Sequence, residues 1–141
     1  MITGPAGIGK TTLLHALDER ATTAGVRVLR ARGDDLERDF AFGLALQLFE
    51  PVVEALDPAG RDALFAGAAA LARPLLEARA VLPGDDDLFS VLHGLFWVTD
   101  HLSDQGPVVL AVDNLHLADP ASTRLLHYLA PRIADLPVLV V

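Results

Sequence analysis

Short runs of valine and leucine alternate along this chain with longer stretches in which apolar residues recur every three or four positions. Four segments are β-like: Met1–Thr3, Val26–Arg32, Val108–Asp113 and Pro137–Val141. Their continuous Val/Leu character is that of strands covered on both faces, which predicts a parallel sheet. Between the first two, Leu13, Leu14 and Leu17 fall at helical spacing within Thr11–Thr23, and Gly25 suits the end of that helix, so the opening of the chain reads as a βαβ unit. From Asp34 to Gln105 the pattern is helical, with Pro51, Pro58, Pro74 and Pro83-Gly84 as the expected breaks. Asp34 followed by Glu37 has the spacing of a capping box, and Asp85-Asp86-Asp87 suits the positive end of a helix. The segment Ala121–Ala134 predicts a last helix, returning through the strand at Val138–Val141. The phenylalanines and Trp97 are expected to be packing residues. The expectation is an α/β fold forming one domain over residues 1–141, with a helical stretch at about 34–105 between the second and third strands.

Composition narrows what such a domain does. Hydrophobic residues make up 52% and charged residues 21%, a globular balance rather than a disordered one. The longest apolar runs are about five residues, too short to cross a bilayer. No basic segment followed by an apolar core opens the chain and there is no cysteine, so the expected location is cytoplasmic and no membrane partner is expected. A formal charge of −8 repels a phosphate backbone, which argues against direct nucleic-acid contact by this segment.

The chemistry begins with a single lysine. Of 11 basic residues ten are arginines, and the exception is Lys10, within Gly4-Pro5-Ala6-Gly7-Ile8-Gly9-Lys10-Thr11-Thr12. The glycines allow a tight turn that points backbone N–H groups inward at a polyphosphate, and the following helix adds the positive end of its dipole. A compact ammonium on a flexible stem reaches between β- and γ-phosphate oxygens where a planar guanidinium fits less well. This is the phosphate loop of a nucleotide-binding domain, with Gly4–Thr12 as candidate ATP ligands, Thr11 placing its hydroxyl on Mg²⁺ and Thr12 near the α-phosphate. Metal coordination also needs a carboxylate at the end of another core strand, and Val108–Asp113 supplies Asp113. Asn114 follows it, the only asparagine in the chain. Its amide can orient a water but cannot take up a proton. Asp119 is the nearest carboxylate downstream and has two readings, a water-orienting group or the start of a helix with Pro120 at its first position. His116 is either a γ-phosphate sensor or a packing residue at the strand end.

Three blocks then carry a family resemblance: GPAGIGKTTLL, RARGDDLERDFAFGLALQLFEP and VVLAVDNLHLADPASTRLLHYLA. Over essentially its whole length the chain resembles the ATPase domain of the large LuxR-type transcriptional regulators of actinobacteria. These are signal-transducing ATPases with numerous domains, related to the AAA+ class. The resemblance implies a P-loop NTPase of three α/β/α layers and a sheet in the order first strand, Val138 strand, Asp113 strand, Val26 strand, with nucleotide at the carboxyl ends. It implies an ATP- and Mg²⁺-dependent switch, followed in its family by C-terminal sensory and DNA-binding domains. Such folds open with a strand of about five or six residues, and only Met1–Thr3 stand here, so the chain is expected to be the N-terminal part of one domain, four strands with the first truncated. Asn114 stands where the family usually has an acidic residue and Leu117 where it has tryptophan. The first departure implies weak or no hydrolysis by this chain alone. A stand-alone phosphotransferase or kinase is the alternative, but it needs several arginines near the phosphates, and Val108–Val141 offers Arg124 and Arg132 only. The third reading is a truncated remnant that binds nothing.

Overall fold

The structure is a computed structural model and describes residues 8–36, 38–78 and 85–141. Helix α1 spans Lys10–Thr23, strand β1 Arg27–Arg32, α2 Gly43–Ala55, α3 Pro58–Leu64, α4 Arg73–Ala78, α5 Asp85–Asp104, β2 Val108–Asp113, α6 Pro120–Leu129 and β3 Val138–Val140. Short 3-10 turns at Gly67–Ala72 and Leu115–Leu117 complete the order. The strands form one parallel sheet in the order β1-β2-β3, with Arg27 opposite Val108, Arg32 opposite Asp113 and Val108 opposite Val138. The predicted strand at Met1–Thr3 lies outside the described residues.

Alternation along the strands assigns the layers. Leu29 and Ala31 are buried with Val108, Leu110 and Val112 in the main core, against Leu44, Leu48 and Phe49 of α2, and Leu125 and Leu129 of α6. Arg30 points to the other face, where two of its three guanidinium nitrogens, Nε and Nη2, donate to the Asp18 carboxylate of α1, Nε at 2.8 Å from Oδ2. Val109 and Ala111 share that second face, which α1 covers. The fold is therefore layered helix, sheet, helices. Strand β2, the central one, comes closest to the expectation and is buried from Val108 to Val112, while β1, an edge strand, alternates buried with exposed residues over Leu29–Arg32. That edge is covered locally by one side chain: the Gln47 amide of α2 accepts from Arg32 N at 2.9 Å and donates to Arg32 O at 3.2 Å, pairing with the strand as a neighbouring strand does.

The helical stretch differs from its sequence pattern in two places. Pro51 does not end α2, which runs through it to Ala55; the ring lies on the solvent side, where losing one backbone hydrogen bond is tolerated. The Asp34 carboxylate does not open a helix either. Its Oδ1 accepts from Leu36 N at 2.9 Å, a local turn, while Glu37 lies outside the described residues and the helix starts only at Gly43. Pro58 behaves as expected, occupying the first helical position behind Asp57, whose side chain caps Gly60 N at 2.7 Å. Helix α5 lies so close to the Gly67–Ala72 turn that a Cβ on Gly94 would stand 2.4 Å from Ala72 N. Among the described residues no helix is long and apolar enough to cross a membrane.

Candidate functional site

The site lies where the start of α1 meets the carboxyl end of β2. Gly4 to Gly7 lie outside the described residues. Ile8 is exposed, and Gly9 adopts φ 95° and ψ 17°, a left-handed conformation that only glycine takes up at little strain. A Cβ there would meet nothing within 4 Å, so the requirement is conformational and not one of space. Gly9 O accepts Leu13 N at 2.9 Å, so the helix grows directly out of this turn, with Lys10, Thr11 and Thr12 in its first turn.

From that turn the Thr11 hydroxyl donates to Asp113 Oδ2 at 3.0 Å, across a sequence separation of 102 residues. Asp113 ends β2 half-buried, and its other carboxylate oxygen accepts the following backbone N–H, Asn114 N, at 2.9 Å. Asn114 itself turns left-handed at φ 53° and ψ 41°. Asparagine enters this region more readily than most residues, a signal that the sequence carried in its single asparagine. The amide side chain makes no cap of the Leu115–Leu117 turn that it opens, while its carbonyl accepts Leu117 N at 2.8 Å.

Two hard oxygen donors thus converge where α1 begins. A hydroxyl beside a carboxylate suits Mg²⁺, which takes oxygen ligands, keeps several waters and completes its shell with nucleotide phosphates. No group of three or more His, Cys, Asp or Glu able to hold a metal occurs among the described residues.

Asp119 stands elsewhere. It is only 2% exposed, and Oδ1 caps α6 by accepting Ser122 N at 2.8 Å. The same oxygen accepts Phe42 N at 2.9 Å, and Oδ2 accepts Leu44 N at 3.4 Å. Ser122 Oγ adds a bond from Ala45 N at 3.0 Å. One carboxylate therefore closes the N-termini of two helices, α6 and α2, and the helix-start reading of Asp119 is the one that its geometry displays. Sequence reasoning caught the local cap from Asp119-Pro120 and missed the distant one. His116 is exposed beside a cavity of about 590 Å³, lined also by Arg38, Asp39 and Arg124.

The sequence-predicted residues therefore divide. Thr11, Asp113 and Asn114 are brought together, Gly9 and Lys10 belong to the turn that leads to them, and Asp119 is turned inward. No curated protein and no solved structure matches the chain. The family model described as the AAA ATPase domain matches residues 1–141 in full. With the parallel sheet and the hydroxyl–carboxylate pair at the end of β2, that match places the chain in the AAA ATPase domain family.

Proposed function

We propose that this chain is the nucleotide-switch module of a larger transcriptional regulator of the LuxR type, binding Mg-ATP and hydrolysing it weakly or not at all by itself. The observation that carries this reading is the Thr11–Asp113 hydrogen bond, which brings together, across 102 positions, the hydroxyl and the carboxylate that the reading assigns to the metal. In this reading Gly4–Thr12 hold the phosphates through backbone N–H groups, and Lys10 neutralises the β/γ oxygens. Thr11 and Asp113 hold the metal, which when bound neutralises charge on the phosphates. Asn114 stands next to the site with an amide that orients a water by hydrogen bonding and takes no proton from it. Asp119 acts as a positioning residue, since its oxygens are occupied by backbone donors and it sits inside the protein. With an amide at Asn114, which takes up no proton, next to Asp113, the reading has retention of the nucleotide outweigh turnover, as a switch requires.

Titration of the purified chain with a fluorescent ATP analogue and Mg²⁺ tests the reading, alongside Lys10→Ala and a phosphate-release assay. Saturable binding abolished by Lys10→Ala, with negligible phosphate release, is the expected result. A folded chain that binds no nucleotide would overturn it, and rapid multiple turnover would overturn its weak-hydrolysis half.

A further inference from the structure

Gly33 follows the last residue of β1 and is buried, although it lies at the start of a loop. Its N–H donates to Asp113 O at 2.9 Å, extending the sheet by one rung beyond the Arg32–Asp113 pair. A Cβ built on Gly33 would lie 2.4 Å from Asn114 O, 3.1 Å from Ala118 N and 3.1 Å from Leu117 C. All three neighbours are backbone atoms, and the first distance is shorter than real side-chain contacts allow. This glycine is therefore required for space. The loop after β2 folds down onto the end of β1 at the one place where no side chain stands in its way.

What lies across that contact is the metal-site acid. Asn114 N holds Asp113 Oδ1, so a push on Asn114 is a push on the group that orients the carboxylate toward Thr11. The far end of the same loop cannot yield freely, because Asp119 is tied to Phe42, Leu44 and Ser122. The β1 end cannot yield freely either, because the Gln47 amide holds Arg32 through both backbone groups. Of the three backbone atoms that such a Cβ meets, Asn114 O is met most closely, so the displacement falls first on Asn114 and the adjoining Asp113. We propose that Gly33 is a positioning residue for the metal-site acid: its missing side chain sets the orientation of the Asp113 carboxylate, and through it the Mg²⁺ dependence of nucleotide binding. This rests on the nucleotide-switch reading for its second half, and on geometry alone for its first.

The test is Gly33→Ala beside Gly94→Ala, which places a Cβ equally close to backbone in the helical layer, away from Asp113. The ratio of ATP affinity with Mg²⁺ to ATP affinity in excess chelator separates positioning from general damage. Gly33→Ala is expected to lower that ratio about tenfold, in line with other residues that orient metal ligands, while Gly94→Ala lowers thermal stability and leaves the ratio within about twofold. An unchanged ratio in folded Gly33→Ala overturns the proposal. Should Gly33→Ala fail to fold in buffer alone, the same ratio is read for wild type and both variants in an osmolyte such as trimethylamine N-oxide, which favours the folded state, with the same loss of about tenfold expected and an unchanged ratio overturning the proposal. The chemical shift of the Asp113 side-chain carboxyl carbon in the nucleotide-free chain, compared between wild type, Thr11→Val and Gly33→Ala, reads the Thr11–Asp113 contact directly. A Gly33→Ala signal that stays at its wild-type position, where Thr11→Val moves it, overturns the positioning role. A wild-type chain that binds no ATP, yet whose Asp113 carboxyl signal moves in Gly33→Ala as it does in Thr11→Val, would instead overturn the switch reading and keep the positioning role.

Discussion

Asp119 and Phe42 are 77 positions apart, and the Asp119 carboxylate accepts the Phe42 amide at 2.9 Å inside the protein. Phe42 itself is left-handed at φ 63°, a strained conformation for a bulky residue, and the bond from Asp119 helps to hold it there. Replacing Asp119 with alanine would strand the Phe42, Leu44 and Ser122 donors in a buried place. Each such group costs about 1–3 kcal/mol when left unpaired, so Asp119→Ala is expected to lose about 3 kcal/mol or more in urea unfolding. Asp119→Asn keeps one good acceptor oxygen and is expected to lose about 1 kcal/mol. Equal stability of the alanine variant and the wild type would show that the double cap contributes nothing.

The opposite balance is expected at Asp113. Its carboxylate is half-buried and its partner Thr11 is exposed, so removing their hydrogen bond is expected to cost no more than about 0.5 kcal/mol. Mg²⁺-dependent nucleotide affinity, in contrast, is expected to fall by about tenfold or more in Asp113→Asn, since a metal ligand is lost. Isothermal titration with and without Mg²⁺, beside a urea curve, checks both. A large loss of stability with unchanged Mg²⁺ dependence would make Asp113 a structural residue.

Gly94 offers a contest between two magnitudes. Alanine is favoured over glycine in a helix interior by about 1 kcal/mol, and Gly94 lies inside α5. A Cβ there would stand 2.4 Å from Ala72 N and 2.9 Å from Leu71 C, and overpacking costs typically about 1–3 kcal/mol. Because those atoms belong to the backbone of the Gly67–Ala72 turn and cannot rotate away, the clash should win, and Gly94→Ala is expected to be less stable by about 1–2 kcal/mol. A variant more stable than the wild type by thermal melting would mean that the turn shifts freely.

The parts of this architecture that the sequence made legible were the local ones. The apolar run ending in Asp113, the Asn114 that follows it and the Asp119-Pro120 helix start all announce themselves within a few positions. Illegible were the partners that only folding supplies. Asp34 carries a strong capping signal yet closes a turn on Leu36, while α2 takes its cap from Asp119, because a buried carboxylate next to two helix ends satisfies donors that no nearby side chain reaches. Gly33 gave no hint either, since its need for space arises only when the loop after β2 lies on it. The strand β1 looked buried on both faces from its valine and leucine, but as the edge strand it leaves Arg30 and Arg32 exposed.

A last expectation concerns the aromatic face between α5 and α6. Trp97 Nε1 donates to His93 Nε2 at 3.1 Å, so Nε2 is the acceptor and the ring proton belongs on Nδ1, which then donates to the Tyr128 hydroxyl oxygen at 3.1 Å. The His93 ring also stacks on Phe89, with ring centres 6.2 Å apart, so its packing and its hydrogen bonding are separable. His93→Phe retains the stacked ring and removes both bonds, and being only part-buried it is expected to lose about 1 kcal/mol. Tyr128→Phe removes one of the two and should lose less, and the double variant should lose no more than His93→Phe, because the Tyr128 bond is already gone. Trp97 is the only tryptophan, so its emission reads this face directly during unfolding. Strictly additive losses in the double variant would show that the histidine does not link the two rings.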